Sequence, residues 1–188
     1  MRTVLVVVVA LLAGCHPRIS LGYDTSASTK GPLANLQTIP RVAPVTGALA
    51  PVPPEGRNYS LGIGFGDKNF TIGPRIHANN VSGSTLDVMT GPQYLSAAAA
   101  LDFRYNFIRY KGFATTMMLA PSRTILVDSA SGDHSWGSGV RYGGGLSFSL
   151  SAFSVYADAY QEKMVFVEGP AQGNSTRTGV TLGIAFQP

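Results

Sequence analysis

Cysteine is nearly absent from the 188-residue chain: Cys15 stands alone, so no internal disulfide can form. Charge is scarce as well. Asp, Glu, Lys and Arg make up 13% of the residues, about half the usual ~25%, which leaves few side chains built to face water. The formal charge of +4 comes from scattered arginines rather than a Lys/Arg run. Without a basic patch interleaved with aromatics, nucleic acid is excluded as a partner. Metal chemistry lacks ligands: His16, His77 and His134 are not spaced for coordination and no Cys or carboxylate cluster joins them. No cofactor motif is present either. Gly143-Gly144-Gly145 lies within an alternating stretch rather than before a helix, so it reads as close strand packing and not a phosphate cradle. Long helices are disfavoured by 22 Gly and 12 Pro, which cost backbone entropy or remove an amide.

Long apolar runs occur only at the amino terminus, where Arg2 precedes an unbroken stretch from Val4 to Leu12. A helix over Thr3 to Gly14 would span roughly 18 Å, short of the ~30 Å hydrocarbon core, so the stretch reads as a removable secretory signal. Leu12-Ala13-Gly14-Cys15 follows it directly. Small residues give an enzyme access to the backbone, and the thiol supplies the nucleophile. These residues resemble the lipobox of bacterial lipoproteins. The resemblance implies diacylglycerol transfer to Cys15, cleavage before it and acylation of the freed amine, a multi-chain anchor that holds stably in a membrane. In lipoproteins of this kind an Asp after the cysteine often signals inner-membrane retention; His16 in that place implies passage to the outer membrane through the lipoprotein-sorting machinery.

The organisation expected is therefore a signal peptide over 1–14, a lipid-anchored Pro-rich segment over 15–57, and a β domain over 58–188. Between Thr25 and Arg57, Pro32, Pro40, Pro44, Pro51, Pro53 and Pro54 stand among small residues with no sustained period, which reads as a spacer or exposed loop. Just before it, Arg18 to Tyr23 alternates as a short strand would.

Beyond Arg57 a period of two dominates, with Tyr59, Leu61, Ile63 and Phe65 opposing Ser60, Gly62, Gly64 and Gly66. Six further strands follow on the same pattern: Phe70–Ala78 after a tight hairpin at Asp67-Lys68, then Ala97–Asn106, Phe113–Leu119, Val140–Leu150, Phe153–Ala159 and Arg177–Phe186. The connection Ile108 to Gly112 is short, while Asn79–Pro92, Ser122–Trp136 and Gly169–Asn174 read as longer loops. Seven strands need an eighth to make an even barrel. Arg18–Tyr23 is preferred, and Ser84–Met89 is the alternative.

The smaller face of this pattern carries Gly, Ser, Thr and Ala instead of the solvated charges of a soluble sheet. Such a face suits the lumen of a small closed barrel. Its ionisable residues, Arg75, Asp102, Arg104, Arg141, Asp158, Glu162 and Arg177, would form an interior network, paired because an isolated buried ion is very costly. With its final strand Thr178 to Phe186 and its recurrent Tyr and Phe, the chain resembles small outer-membrane β-barrel proteins over roughly Asn58 to Pro188. Such barrels usually end in an aromatic residue, whereas this chain ends Phe186-Gln187-Pro188.

The fold expected is all-β, an antiparallel up-and-down barrel of about eight strands with a Pro-rich amino-terminal segment. The function expected is that of a non-enzymatic outer-membrane lipoprotein, structural, adhesive or assembly-related. Its partners would be membrane lipid, through acylated Cys15 and the barrel exterior, the barrel-assembly machinery, and a protein met through the loops. A second reading is a lipid-tethered soluble β module that binds an apolar ligand or a protein, with its apolar residues turned inward. A third is a barrel hydrolase using Asp133, His134 and nearby Ser131 or Ser135, or Asp128 and Ser129, although these are ordinary loop residues.

Overall fold

The computed structural model describes residues 16–37, 41–42, 49–50, 58–67, 69–80, 94–128 and 131–188. The signal segment, Cys15, Ser129, the alternative strand Ser84–Met89 and parts of the Pro-rich segment lie outside them. Eight strands among the described residues close into one barrel: β1 (His16–Lys30), β2 (Asn58–Gly66), β3 (Phe70–Asn80), β4 (Tyr94–Tyr110), β5 (Phe113–Asp128), β6 (His134–Leu150), β7 (Phe153–Phe166) and β8 (Gly173–Phe186). Each strand pairs antiparallel with its sequence neighbours, and β1 closes the ring against β8 in the register Ile19 to Phe186 and Thr25 to Val180. A closed ring has no unpaired edge.

The eighth strand is thus the stretch around Arg18–Tyr23, and it runs on to Lys30, past the position where a spacer was expected to begin. The barrel draws on residues to either side of the Pro-rich segment, which becomes the β1–β2 connection. Within that connection lie one short helix, α1 (Pro32–Gln37), and a two-residue ladder of Arg41–Val42 with Leu49–Ala50. Two loop boundaries are corrected. Ser122–Trp136 is mostly strand, since β5 extends to Asp128 and β6 begins at His134. Likewise β4 continues through a bulge at Asn106/Ile108 to Tyr110, so that only Lys111-Gly112 forms the turn. Both turn residues are left-handed, at φ 44° and 88°, the geometry whose twist matches a two-residue hairpin.

The two faces sort as side-chain chemistry requires once the exterior is apolar. Leu182 and Ile184 are 51% and 54% exposed on the outer wall, while Ser60, Thr124, Asp158 and Thr181 are buried inside. An arrangement with the alternating apolar residues turned inward is therefore excluded. The short turns at 67–69, 111–112 and 151–152 share one end with His16 and Pro188, and the connections 31–57, 81–93, 129–133 and 167–172 join strands at the other. Aromatic side chains gather on the outer wall near the short-turn end, where Phe113, Phe153 and Tyr110 are exposed and Phe153 meets Phe186 with ring centroids 5.0 Å apart. No helix among the described residues is long and apolar enough to cross a membrane, which leaves crossing by strands untouched.

At the short-turn end the β2–β3 hairpin is held by one carboxylate. Asp67 Oδ1 accepts the amides of Asn69 and Phe70, each at 2.7 Å. The two donors, that of Phe70 foremost, hold its carboxyl below the ordinary value of 3.8.

Candidate functional site

The lumen contains two ionic clusters. In the first, Arg75 on β3 donates from Nε to Asp102 Oδ2 on β4 at 2.8 Å, and its other nitrogens reach Ser20 Oγ (2.8 Å) and Ser60 Oγ (3.1 Å). Arg104 donates to the same Asp102 oxygen at 2.9 Å and crosses to Asp158 Oδ2 on β7 at 2.7 Å. In the second cluster Arg141 on β6 bridges Asp24 Oδ2 on β1 (2.7 Å) and Glu162 Oε2 on β7 (3.3 Å). Arg177 on β8 makes an ion-pair contact with Glu162 at 3.2 Å, Thr181 Oγ1 donates to Asp24 at 2.5 Å, and His77 Nδ1 lies 3.8 Å from Asp24. All these charged groups are buried.

Each cluster meets one tyrosine from β7. Tyr156 lies 5.1 Å from the Arg104 guanidinium and Tyr160 4.1 Å from that of Arg141, distances at which a ring face attracts a cation. Their cross-strand partners on β8 are Gly183 and Gly179, which leave room for the rings. The small residues of the inner face are thus the space into which long polar side chains fold.

Arg75, Asp102, Arg104, Asp158, Arg141, Glu162 and Arg177 all take part in the two clusters. Sequence reasoning missed Asp24, and with it Arg18, which also turns toward the lumen. Both sit on the parity of Ser20 and Gly22 in β1, so extending that strand by one residue would have found Asp24. With Asp24 included, four arginines, Arg75, Arg104, Arg141 and Arg177, face four carboxylates, Asp24, Asp102, Asp158 and Glu162, and their charges cancel.

Above the clusters, toward the long-connection end, the lumen turns apolar. Leu33 of α1 enters a cluster with Tyr94, Leu126, Met164, Phe166 and Ala171, and Leu36 packs against it. A polar contact among the described residues docks the helix, from the Leu33 amide to Ser175 Oγ at 3.1 Å. Ser135 is fully buried beside this plug and accepts the Ala171 amide at 3.2 Å, whereas His134 is exposed. Ser131 Oγ accepts the Asp133 amide at 3.1 Å. These side chains do not converge on a nucleophile–base pair of the kind a hydrolase needs. Among the described residues no group of three His, Cys, Asp or Glu side chains is placed to hold a metal ion.

The architecture is that of small outer-membrane β-barrels, and the solved structures that resemble it bear this out. The crystal structure of Neisserial surface protein A (NspA) matches with a TM-score of 0.55 at 12% identity, over 93% of this chain and 97% of that one. Ail, the attachment invasion locus protein of Yersinia pestis, matches with a TM-score of 0.51 at 13% identity, over 93% and 99%. At such identities the likeness defines a shared fold. No protein-family model and no curated protein sequence matches the chain.

Proposed function

We propose that the chain is a bacterial outer-membrane lipoprotein whose barrel spans the bilayer, acting without catalysis as a structural, adhesive or envelope-assembly component through its long connections. The observation that carries this reading is the inversion of the faces: charge and hydroxyl inside, Leu, Ile, Val and Phe outside. A lipid-facing wall needs that distribution, and water would penalise it. Acylation of Cys15 fits the same picture, because β1 begins at His16, at the short-turn end. Lipid chains on Cys15 would enter the leaflet beside the barrel wall with no spacer between them. The Pro-rich segment then belongs among the long connections at the opposite end, where a protein partner is met. The names of the two solved neighbours, a surface protein and an attachment invasion locus protein, agree in kind with contact made from the cell surface. Partners on the route are the lipoprotein-sorting and barrel-assembly machinery.

Two measurements test the proposal. Membrane fractions should retain the chain after Cys15→Ala, and it should migrate faster on gels without boiling than after it; a detergent-free soluble variant without heat-modifiable migration would refute the spanning barrel. Labelled palmitate should enter the wild-type chain and not Cys15→Ala, and equal labelling of both would remove the lipid anchor.

A further inference from the structure

Arg18 breaks the charge balance of the lumen. It turns inward from β1, yet among the described residues no carboxylate lies within ion-pair distance of it, and its one aromatic neighbour, Tyr156, is 5.9 Å away at the ring centroid. Arg18, Arg75 and Arg104 line one water-sized gap of about 20 Å³ in which Asp102 is the single acidic wall residue. Asp102 and Asp158 are already committed to Arg75 and Arg104. Arg18 is half-buried, and a cation set partly into a low-dielectric barrel is favoured by an anion beside it.

On the other side of Arg18 the barrel opens into a chamber of about 180 Å³ at the short-turn end, lined by Arg18, His16, Arg109, Ser147, Ser149 and Ser154 among others. That is far more than one water requires. Arg109 stands at the rim and acts electrostatically on Asp67 of the neighbouring hairpin, but among the described residues it makes no ion pair. The lining holds two arginines, a histidine and several hydroxyls and no aspartate or glutamate side chain; Pro188, with its carboxylate, also borders it and among the described residues makes no ion pair with either arginine.

We propose that this chamber is a binding site for a small oxyanion, a phosphate or carboxylate group entering from the short-turn side and held between Arg18 and Arg109 with serine hydroxyls as further donors. Guanidinium with hydroxyl is a donor set suited to planar or tetrahedral oxyanions. The ligand completes the neutralisation that the eight buried charges accomplish among themselves farther in.

The full chain in nonionic maltoside micelles tests it by titration with inorganic phosphate at constant ionic strength, read from the amide resonances of Ser147 and Ser149. Saturable shifts are expected with phosphate, and with acetate at higher concentration. Chloride should give none. Arg18→Gln should weaken the phosphate midpoint by about tenfold or more. Should that variant fail to fold, as heat-modifiable migration would show, Arg109→Gln decides at the exposed rim with a weakening of several-fold. Shifts that never saturate, that chloride reproduces, or that survive the folded variant unchanged overturn the proposal. Equivalent shifts from phosphatidylglycerol in the micelle, without free phosphate, would support the site and identify a lipid headgroup as the source of the oxyanion.

Discussion

Arg104 is the residue whose loss the lumen can least absorb. It is the one cation bonded to Asp158, whose other oxygen is already without a hydrogen-bond partner. Replacing Arg104 by Met leaves a buried carboxylate uncompensated and should cost about 3–5 kcal/mol, measured by urea unfolding in micelles. Adding Asp158→Leu should restore part of that loss, because the orphaned charge goes with it. Gly62 poses a steric case. A Cβ there would stand 2.8 Å from Ser20 Oγ and 3.1 Å from Arg75 Nη2, so Gly62→Ala should displace the Arg75 fork and destabilise by about 1–3 kcal/mol. Asp67 carries a pH signature instead. Since folding lowers its carboxyl pKa below 3.8, its contribution is complete above the unfolded value and is lost as pH falls through the folded one. The gap in unfolding midpoint between the wild type and Asp67→Ala should stay constant above about pH 5 and close on acidification.

At the scale of elements, α1 is the piece whose removal has a local readout. Leu33→Ala vacates a position that is 4% exposed and should cost about 2–5 kcal/mol of local stability. Proteolysis within the β1–β2 connection should accelerate, while heat-modifiable migration of the barrel is retained. The elements themselves were largely legible in the sequence, because inside and outside residues alternate on every strand and the outer ones are large. What the sequence hid has physical causes. Ser122 and Arg123 read as the start of a loop, since Pro121 before them lacks an amide and Arg is foreign to an apolar wall. The ladder continues there, pairing Pro121 with Val140 and Arg123 with Ser138. Those residues lie toward the long-connection end, where a wall spanning a bilayer as proposed would need less apolar character. Similarly, Thr25 and the small residues after it carry no apolar alternation, so the upper half of β1 and its Asp24 went unread. The plug by Leu33 had no periodic signal, because it depends on a loop folding back over the barrel.

For the molecule as a whole, the sign of the outer wall sets the response to charge. If the wall spans the bilayer as proposed, Leu182→Arg, placed among Ile184 and Val180 on the outer wall, should destabilise the barrel in bilayers by about 2–4 kcal/mol, and the same substitution at Val165 near the long-connection end by about 1 or less. Equal costs at the two depths would contradict a membrane-spanning wall. With ionic clusters across the lumen and the α1 cluster over one mouth, planar-bilayer recordings should show no stepwise ion conduction. Steady unitary steps in the wild type would show that the clusters part more readily than their hydrogen bonds imply.

The β1–β8 seam has a temporal consequence. Ile19 meets Phe186 across almost the whole length of the polypeptide, and β1 also carries Asp24, the acceptor for Arg141. The seam cannot form until the last strand has been delivered. Until then the chain has two raw edges, and contacts so distant in sequence form slowly. Both edges stay open together until the ring closes, and deleting a few residues from β8 should leave it permanently ajar.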